Sequence, residues 1–393
     1  MKPGSAPARI HARLLADGGD APLAERVSAI VGEEAPLLGA RQRERMVGQV
    51  LAAVTGLGPL EPLLADGAVT DLMINGPGRV WVERMGVLRR VPLDLDADAI
   101  EHLIEKVVGP LGLRVDRASP LVDARLPDGS RVNAVVPPLA VDGPCLTIRR
   151  FGARALPVEA FAPPPVAALL RWAVVARMNV LVSGGTGAGK TTLLNALASF
   201  IPTGERVITV EDAAELRLPG EHVLRLEARP PNAEGAGEVR VRDLVRNALR
   251  MRPDRILVGE VRGPEALDML QAMNTGHEGS LSTCHANSPA DALARVETMV
   301  MMGEVNLPLA AVRSQLESAL DLVVQVARRQ DGSRRVVAVA EVNRRESSDQ
   351  ESDTSAADVR VRLLAGPDGV FALPERPSRA ASAPPPDPAW ISS

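Results

Sequence analysis

The stretch from Asn179 to Phe200, NVLVSGGTGAGKTTLLNALASF, constrains this chain more than any other, because it holds the spacing G-x-x-x-x-G-K-[ST] at Gly184, Gly189, Lys190 and Thr191. Gly184, Gly185, Gly187 and Gly189 allow backbone dihedrals closed to other residues and turn several N–H groups toward one anion. In such a loop Lys190 reaches the β- and γ-phosphates of a nucleotide, the Thr191 hydroxyl offers an oxygen to Mg²⁺, and the helix starting here adds the positive end of its dipole. The loop requires a strand before it and a helix after it. Val180 to Ser183 is a short apolar run, and Leu193, Leu194, Leu197 and Phe200 recur at helical spacing, so both are present. The nucleotide-binding set is therefore Gly184, Gly185, Thr186, Gly187, Ala188, Gly189, Lys190, Thr191 and Thr192, with ATP as ligand and Mg²⁺ as its cation.

Composition excludes several other classes. A net charge of -4 argues against a chain whose main partner is nucleic acid, and an aromatic content of 2% with no tyrosine argues against base-stacking platforms. Cys145 and Cys284 stand far apart without a C-x-x-C partner, so neither a zinc knuckle nor a disulfide framework is expected, and a reducing cytosol is the simple reading. No apolar run reaches the length of a membrane span, and the N-terminus lacks the apolar region of a signal peptide. A soluble protein with at most peripheral membrane contact is expected.

Patterning divides the chain into five parts. Residues 1–64 read as a helical, partly mobile N-terminal segment, with helix-compatible spacing over Pro22 to Ile30 and Arg41 to Val54. Residues 65–151 read as a small α+β domain: Val69 to Asn75 and Arg79 to Glu83 flank Asn75-Gly76, a helix spans Ala97 to Val108, Asp128-Gly129 sits inside a hairpin, and Cys145 to Phe151 is a further strand. Proline crowds residues 152–165, as in a linker. Over 166–343 strands and helices alternate, which requires an α/β domain with a mostly parallel sheet. Residues 344–393 are charged, Ser-rich and Pro-rich, and most of this tail is expected to be disordered, with a weak hairpin around Gly366-Pro367-Asp368-Gly369 as its one structured element.

Ligands of parallel α/β sheets sit at the carboxyl ends of the strands, and polar residues terminate the apolar runs here. Val207 to Val210 ends in Glu211-Asp212, Ile256 to Val258 ends in Gly259-Glu260, and Ser280 to Thr283 stops just before His285. A phosphate loop needs acids to hold Mg²⁺ and to orient and deprotonate the attacking water. Glu211 and Glu260 are assigned those two roles, in either order, and Glu260 joins Thr191 as a metal ligand. His277 and His285 are read as reporters of the γ-phosphate or, for His277, as a plain cap. Arg242, Arg246 and Arg250 follow i, i+4, i+8 spacing and read as a solvated helix face or a subunit contact. Arg149 and Arg150 end the first domain's last strand, where they are candidates to reach nucleotide phosphate, with Arg131 a weaker third.

From about Gly56 to Val342 the sequence resembles the CpaF-type secretion ATPases of tight-adherence (Flp/Tad) pili, within the type II/type IV secretion ATPase superfamily. The resemblance is carried by VTDLMINGPGRVWVER, LPDGSRVNAVVPPLAVDGPCLTIRRF, GGTGAGKTTLLNAL, ITVEDAAEL and RDLVRNALRMRPDRILVGEVRGPEALDMLQAMNTGHEGSLSTCHANSPADALARVE. It places a Walker A motif on Gly184 to Thr191, an Asp box on Glu211, Asp212 and Glu215, a Walker B motif on Gly259 and Glu260, and a His box on His277 and His285. It implies an α/β fold in which a RecA-like P-loop ATPase domain follows a smaller N-terminal α+β (PAS-like) domain. It further implies a hexameric ring with nucleotide between those domains, under the arginines Arg149 and Arg150. Such a ring drives pilin assembly or retraction through inner-membrane platform proteins, from the cytoplasmic face. The region before Gly56 departs from the family in being short and loosely patterned. The alternatives left are a type IV secretion ATPase moving protein or DNA, and a nucleotide-binding scaffold that does not hydrolyse ATP.

Overall fold

The structure is a computed structural model, and it describes residues 9–10, 13–14, 21–36, 38–126, 128–150, 156–229, 236–303, 307–343, 361–380 and 383–391. These form two compact units, one up to residue 153 and one from residue 154.

In the first unit, helices α1 (Leu23–Glu34) and α2 (Ala40–Thr55) bury Val27, Ile30, Val31 and Val50 against Ile10 and Leu14. The mobility expected of the first twenty residues falls almost wholly outside the described residues. Strands β1 (Val69–Asn75), β2 (Val80–Arg84), β3 (Val87–Val91), β4 (Leu121–Arg125), β5 (Arg131–Val135) and β6 (Cys145–Arg149) make one sheet in the order β3-β2-β1-β6-β5-β4, antiparallel throughout. Alternation along β1 and β6 turns Leu72, Ile74, Leu146 and Ile148 to one face. Helix α3 (Ala97–Val108) covers that face with Ile100, Leu103, Ile104 and Val107, and its first turn is capped by Asp96, whose carboxylate accepts from the Ala99 amide at 2.8 Å.

The second unit begins earlier than the proline content implies. Val158, Phe161 and Ala162 are buried in its core, and Pro164 and Pro165 occupy the first turn of helix α4 (Pro164–Val175), where their missing N–H groups cost nothing. The expected linker over 152–165 is thus corrected for its second half.

The strands of this unit are β7 (Val180–Gly184), β8 (Val207–Glu211), β9 (Val223–Glu227), β10 (Arg255–Val258), β11 (Leu281–His285), β12 (Leu322–Arg328), β13 (Arg334–Val342), β14 (Val361–Gly366) and β15 (Gly369–Val370). They form one sheet in the order β15-β14-β13-β12-β7-β11-β10-β8-β9. The pairs from β12 to β9 are parallel, while β13, β14 and β15 add antiparallel strands at one edge. Helices α5 (Lys190–Ala198), α6 (Val241–Ala248), α7 (Glu265–Asn274), α8 (Pro289–Met301) and α9 (Leu309–Ala319) supply the apolar faces that cover it. Burial on both faces explains why β7, β8 and β10 are buried at every position.

The hairpin expected around Gly366-Pro367-Asp368-Gly369 is present as β14 and β15, the disorder expected of the tail is corrected over 371–380 and 383–391, and 344–360 and 381–382 lie outside the described residues. Strand β14 extends the sheet beside β13, with Val361 opposite Val342. Beyond it, Arg376 Nη1 donates to Asp321 Oδ1 at 2.8 Å and Arg379 Nε to Asp321 Oδ2 at 2.7 Å. The Glu341 carboxylate accepts from the amides of Glu375 and Arg376 at 2.9 and 2.7 Å and from Arg362 at 2.7 Å. Trp390 packs edge-on against Trp172 with ring centroids 6.4 Å apart, and Trp172 Nε1 donates to the Pro384 carbonyl at 2.7 Å. The composition of this tail looks disordered because its anchors are ion pairs to acids far away in sequence, which leave no periodic pattern.

Candidate nucleotide site

Strand β7 ends at Gly184 and helix α5 starts at Lys190, so the loop between them crosses the carboxyl edge of the parallel sheet. Gly187 and Gly189 take φ of +69° and +95°, which a side chain would strain. Gly184 must be glycine for a different reason: a Cβ there would stand 2.3 Å from the Val326 carbonyl oxygen. Lys190 is only 7% exposed, and its ammonium donates to the carbonyls of Gly184 and Gly185 at 3.1 and 3.2 Å, folded back over the loop it follows. Thr191 and Thr192 follow it in the first turn of α5, with its N–H groups.

Three neighbouring strands bring the predicted acids and histidine to the same edge. Val210 of β8 is in register with Val258 of β10, and His285 of β11 with Gly184 of β7. Glu211 is 3% exposed, and its carboxylate accepts from the Glu215 amide at 2.8 Å and the Leu216 amide at 3.0 Å. Burial pushes its pKa up to about 7, against the opposing pull of those two amides. Glu260 is held the other way: burial alone raises it, but hydrogen bonds from Arg262 and the charges of Arg262 and His285 keep it below the ordinary carboxylate value. Arg262 donates to Glu260 Oε2 through Nε and Nη2 at 2.9 and 2.6 Å, and His285 Nδ1 bonds Glu260 Oε1. The other ring nitrogen of His285 is 3.3 Å from Thr186 Oγ1, so this histidine ties the Glu260 carboxylate to the phosphate loop.

Mg²⁺ at such a loop takes one or two protein oxygens and completes its shell with phosphates and water. Thr191 stands in the first turn of α5, and the Glu260 carboxylate, the other predicted ligand, is engaged at both oxygens by Arg262 and His285. Among the described residues no group of three or more His, Cys, Asp or Glu side chains stands together as a metal cage.

Other predicted residues fall elsewhere. His277 precedes β11 and so lies at the opposite end of that strand from His285; its Nδ1 is 3.3 Å from the Ala272 carbonyl at the end of α7, which fits the capping role. Asp212 is exposed, 3.9 Å from Arg262. Arg242 and Arg246 do not form a free solvated face: their Nε atoms donate to buried Asp268 at 2.9 and 2.7 Å. Arg150 donates to the carbonyls of Asp66 and Val69, so its guanidinium braces its own unit. Arg149 is exposed at the end of β6, opposite Asp71 on one side and Arg131 on the other.

Sequence reasoning named Gly259 without its steric reason and missed Gln325 and the role of Thr283. A Cβ on Gly259 would lie 2.7 Å from Glu211 Cγ, so glycine before the second glutamate makes room for the first. Thr283 Oγ1 donates to the Gly259 carbonyl at 2.8 Å and fixes that peptide. Gln325 takes a hydrogen bond from Ser183 and gives one to the Ala286 carbonyl at 3.1 Å, linking three strands below the loop.

A glycine-rich phosphate loop on a parallel sheet, flanked by two strand-end glutamates and a histidine, defines a P-loop nucleotide-binding α/β protein. Within that class the chain belongs to the family described as Type II/IV secretion system protein, whose pattern matches residues 53–365. A putative conjugal transfer protein of Mycobacterium tuberculosis is 44% identical over 299 residues, covering 73% of this chain and 84% of the relative. The type IV secretion system protein PtlH of Bordetella pertussis is 38% identical over 311 residues, 71% of this chain and 91% of the relative. Among solved structures, the ATPase DotB of Yersinia pseudotuberculosis superposes with a TM-score of 0.54 at 20% identity, over 73% of this chain and 78% of that one. The pilus retraction motor PilT with bound ADP does so with a TM-score of 0.53 at 20% identity, over 74% and 84%. At such identities the likeness is one of fold, and it agrees with the α/β class read from the sequence. No helix among the described residues is long and apolar enough to cross a membrane.

Proposed function

We propose that this chain is a Mg²⁺-dependent ATP hydrolase that works as a closed ring of six and powers assembly or retraction of a tight-adherence (Flp/Tad) type pilus through inner-membrane platform proteins. The observation that carries the hydrolase reading is the convergence of Glu211, Glu260 and His285, from three neighbouring strands, on the edge crossed by the Gly184–Thr191 loop. Lys190 neutralises the β- and γ-phosphate oxygens, and Thr191 and Glu260 hold the cation. Mg²⁺ when bound draws charge from the phosphate oxygens. Glu211 orients the attacking water and takes its proton, a task suited to a carboxyl that titrates near neutral pH. His285 holds Glu260 in register with the loop. Arg149 and Arg150 are assigned to nucleotide turnover, Arg150 with a bracing role besides.

The pilus reading is supported by the motif run from VTDLMINGPGRVWVER to the Glu260 and His285 segments. A second reading, transport through a type IV secretion system, is favoured by the names of the Mycobacterium and Bordetella relatives. Phosphate release by the full chain with Mg²⁺ tests the hydrolase: Lys190→Ala is expected to be folded and inactive, and near-wild-type release by that variant would sink the assignment. Deleting the gene separates the two readings. Loss of surface filaments under the electron microscope supports the pilus, whereas intact filaments with loss of protein or DNA transfer overturn it. Mass measurement with Mg²⁺ and an ATP analogue tests the ring, which a full-rate monomer contradicts.

A further inference from the structure

The turn joining β12 to β13 is flanked by four arginines, Arg328, Arg329, Arg334 and Arg335, with Asp331 the one acid in residues 328–335. Strand alternation sorts them into two pairs. Arg328 and Arg334 are direct partners in the antiparallel register and share a face, which Val326, two residues back along β12, shares too. Arg329 and Arg335 point the other way and are exposed. The Asp331 carboxyl is held below its ordinary value first by hydrogen bonds from Ser333 and then by the charges of Arg329 and Arg335.

The face of Val326, Arg328 and Arg334 lies along the phosphate loop. A Cβ added at Gly184 would meet the Val326 carbonyl oxygen at 2.3 Å, one at Gly187 would meet Arg328 Nη1 at 3.4 Å, and one at Gly189 would meet Arg334 Cδ at 2.6 Å. Three loop glycines therefore meet three residues of one hairpin face in order along the loop. A polyphosphate on that loop would accept charge-assisted hydrogen bonds from them, for which the planar fork of arginine is shaped.

We propose that Arg328 and Arg334 bind the polyphosphate of the nucleotide on the Gly184–Thr191 loop, as a basic wall supplied by the β12–β13 hairpin in addition to Lys190. This rests on the nucleotide-site reading above. It also gives the hairpin a stake in nucleotide occupancy, since the residues that hold the loop's glycines are those that meet the charge.

The test is equilibrium binding of a fluorescent ATP analogue to the full chain with Mg²⁺, competed by inorganic pyrophosphate, in Arg328→Ala, Arg334→Ala, the double variant and the two lysine variants. Melting temperatures without nucleotide are measured alongside. Each alanine variant is expected to lose about tenfold to a hundredfold in affinity for both ligands, the range of one hydrogen bond to a charged group. Lysine should restore part of the loss, and melting without nucleotide should stay near wild type. Wild-type affinity for pyrophosphate in the double variant, while Lys190→Ala loses binding, overturns this proposal and leaves the nucleotide site standing. Affinity that falls only in step with melting temperature, for lysine and alanine alike, also overturns it, as a packing role. If Lys190→Ala binds as wild type does, the nucleotide-site reading fails and this proposal with it.

Discussion

Strands β8 and β10 run side by side in register, and each delivers a glutamate to the edge crossed by the phosphate loop, yet the two carboxyl groups meet opposite surroundings. Glu211 at the end of β8 is buried and accepts from the backbone amides of Glu215 and Leu216, and burial lifts its proton affinity to near neutrality. Glu260, just past β10, is half-buried between Arg262 and His285, and their charges keep it ionised well below neutral pH. One spacing in the chain thus yields a group able to exchange a proton at neutral pH and a group fixed as an anion. The sequence left the two roles interchangeable; the proposal above gives the base to Glu211 and the cation to Glu260, and these opposite environments support it.

The comparison breaks most directly by removing each acid. Glu211→Gln and Glu260→Gln should both keep nucleotide binding and lose about 10²-fold or more in turnover, the scale of general base catalysis. Excess Mg²⁺ should recover part of the Glu260→Gln loss and none of the Glu211→Gln loss. Recovery in the Glu211 variant instead would reverse the assignment.

Stability against pH is the next lever, and the two glutamates have opposite signs. The Glu211 pKa is raised in the fold from 4.5 to about 7, so its contribution is full below about 4.5 and is lost as pH rises through about 7. That difference of 2.5 corresponds to at most on the order of 3 kcal/mol. The Glu260 pKa is lowered, so its contribution is present above the ordinary carboxylate value and lost as pH falls through the lowered one. Urea unfolding at pH 5 and pH 8 should show Glu211→Gln gaining relative to wild type at the higher pH, whereas the deficit of Glu260→Gln should be the same at both and should shrink only in more acid solution. A wild-type slope retained in Glu211→Gln would mean that this carboxyl is not the buried one.

A smaller effect is expected from Gly259→Ala. The new methyl group would fall against Glu211 Cγ and shift that carboxyl, costing about tenfold in turnover by misplacement with Glu260 untouched. Unchanged turnover would show that Glu211 has room to move. The smallest effect belongs to Cys284, on β11 beside Ser183. Burial pushes its thiol up to about 12, so a thiol-reactive dye should leave it unlabelled in the folded chain and label it on unfolding. Fast labelling would show that water reaches the end of β11 beside the phosphate loop.

What the sequence made legible shares one property, dependence on neighbours in the chain. The phosphate loop, the helix over 97–108 and the strand-end acids are read from local spacing, and the structure has them at those places. What stayed hidden depends on partners distant in sequence. Arg242 and Arg246 have the spacing of a solvated face until Asp268, on another helix, comes to lie against them. Arg150 is a strand-end cation until the chain returns to the carbonyls of Asp66 and Val69. Gly259 is placed in a motif by its neighbour Glu260, but the reason it is glycine is the carboxylate on the next strand.

The ion pairs of the last thirty residues bear on how this protein is cut. The family pattern stops at residue 365, a natural place to end a shortened gene. A chain stopped there keeps Asp321 and Glu341, each only 2% exposed, but loses Arg376 and Arg379 and the amides of residues 375 and 376 that hold them. Leaving a buried charge without its partner costs about 3–5 kcal/mol, a large share of the roughly 5–15 kcal/mol that keeps a typical domain folded. Asp321 also accepts the Asn179 amide at 2.8 Å, just before the strand that leads into the phosphate loop. Shortened forms should therefore melt earlier and fall out of solution, with damage that begins at the root of the nucleotide site.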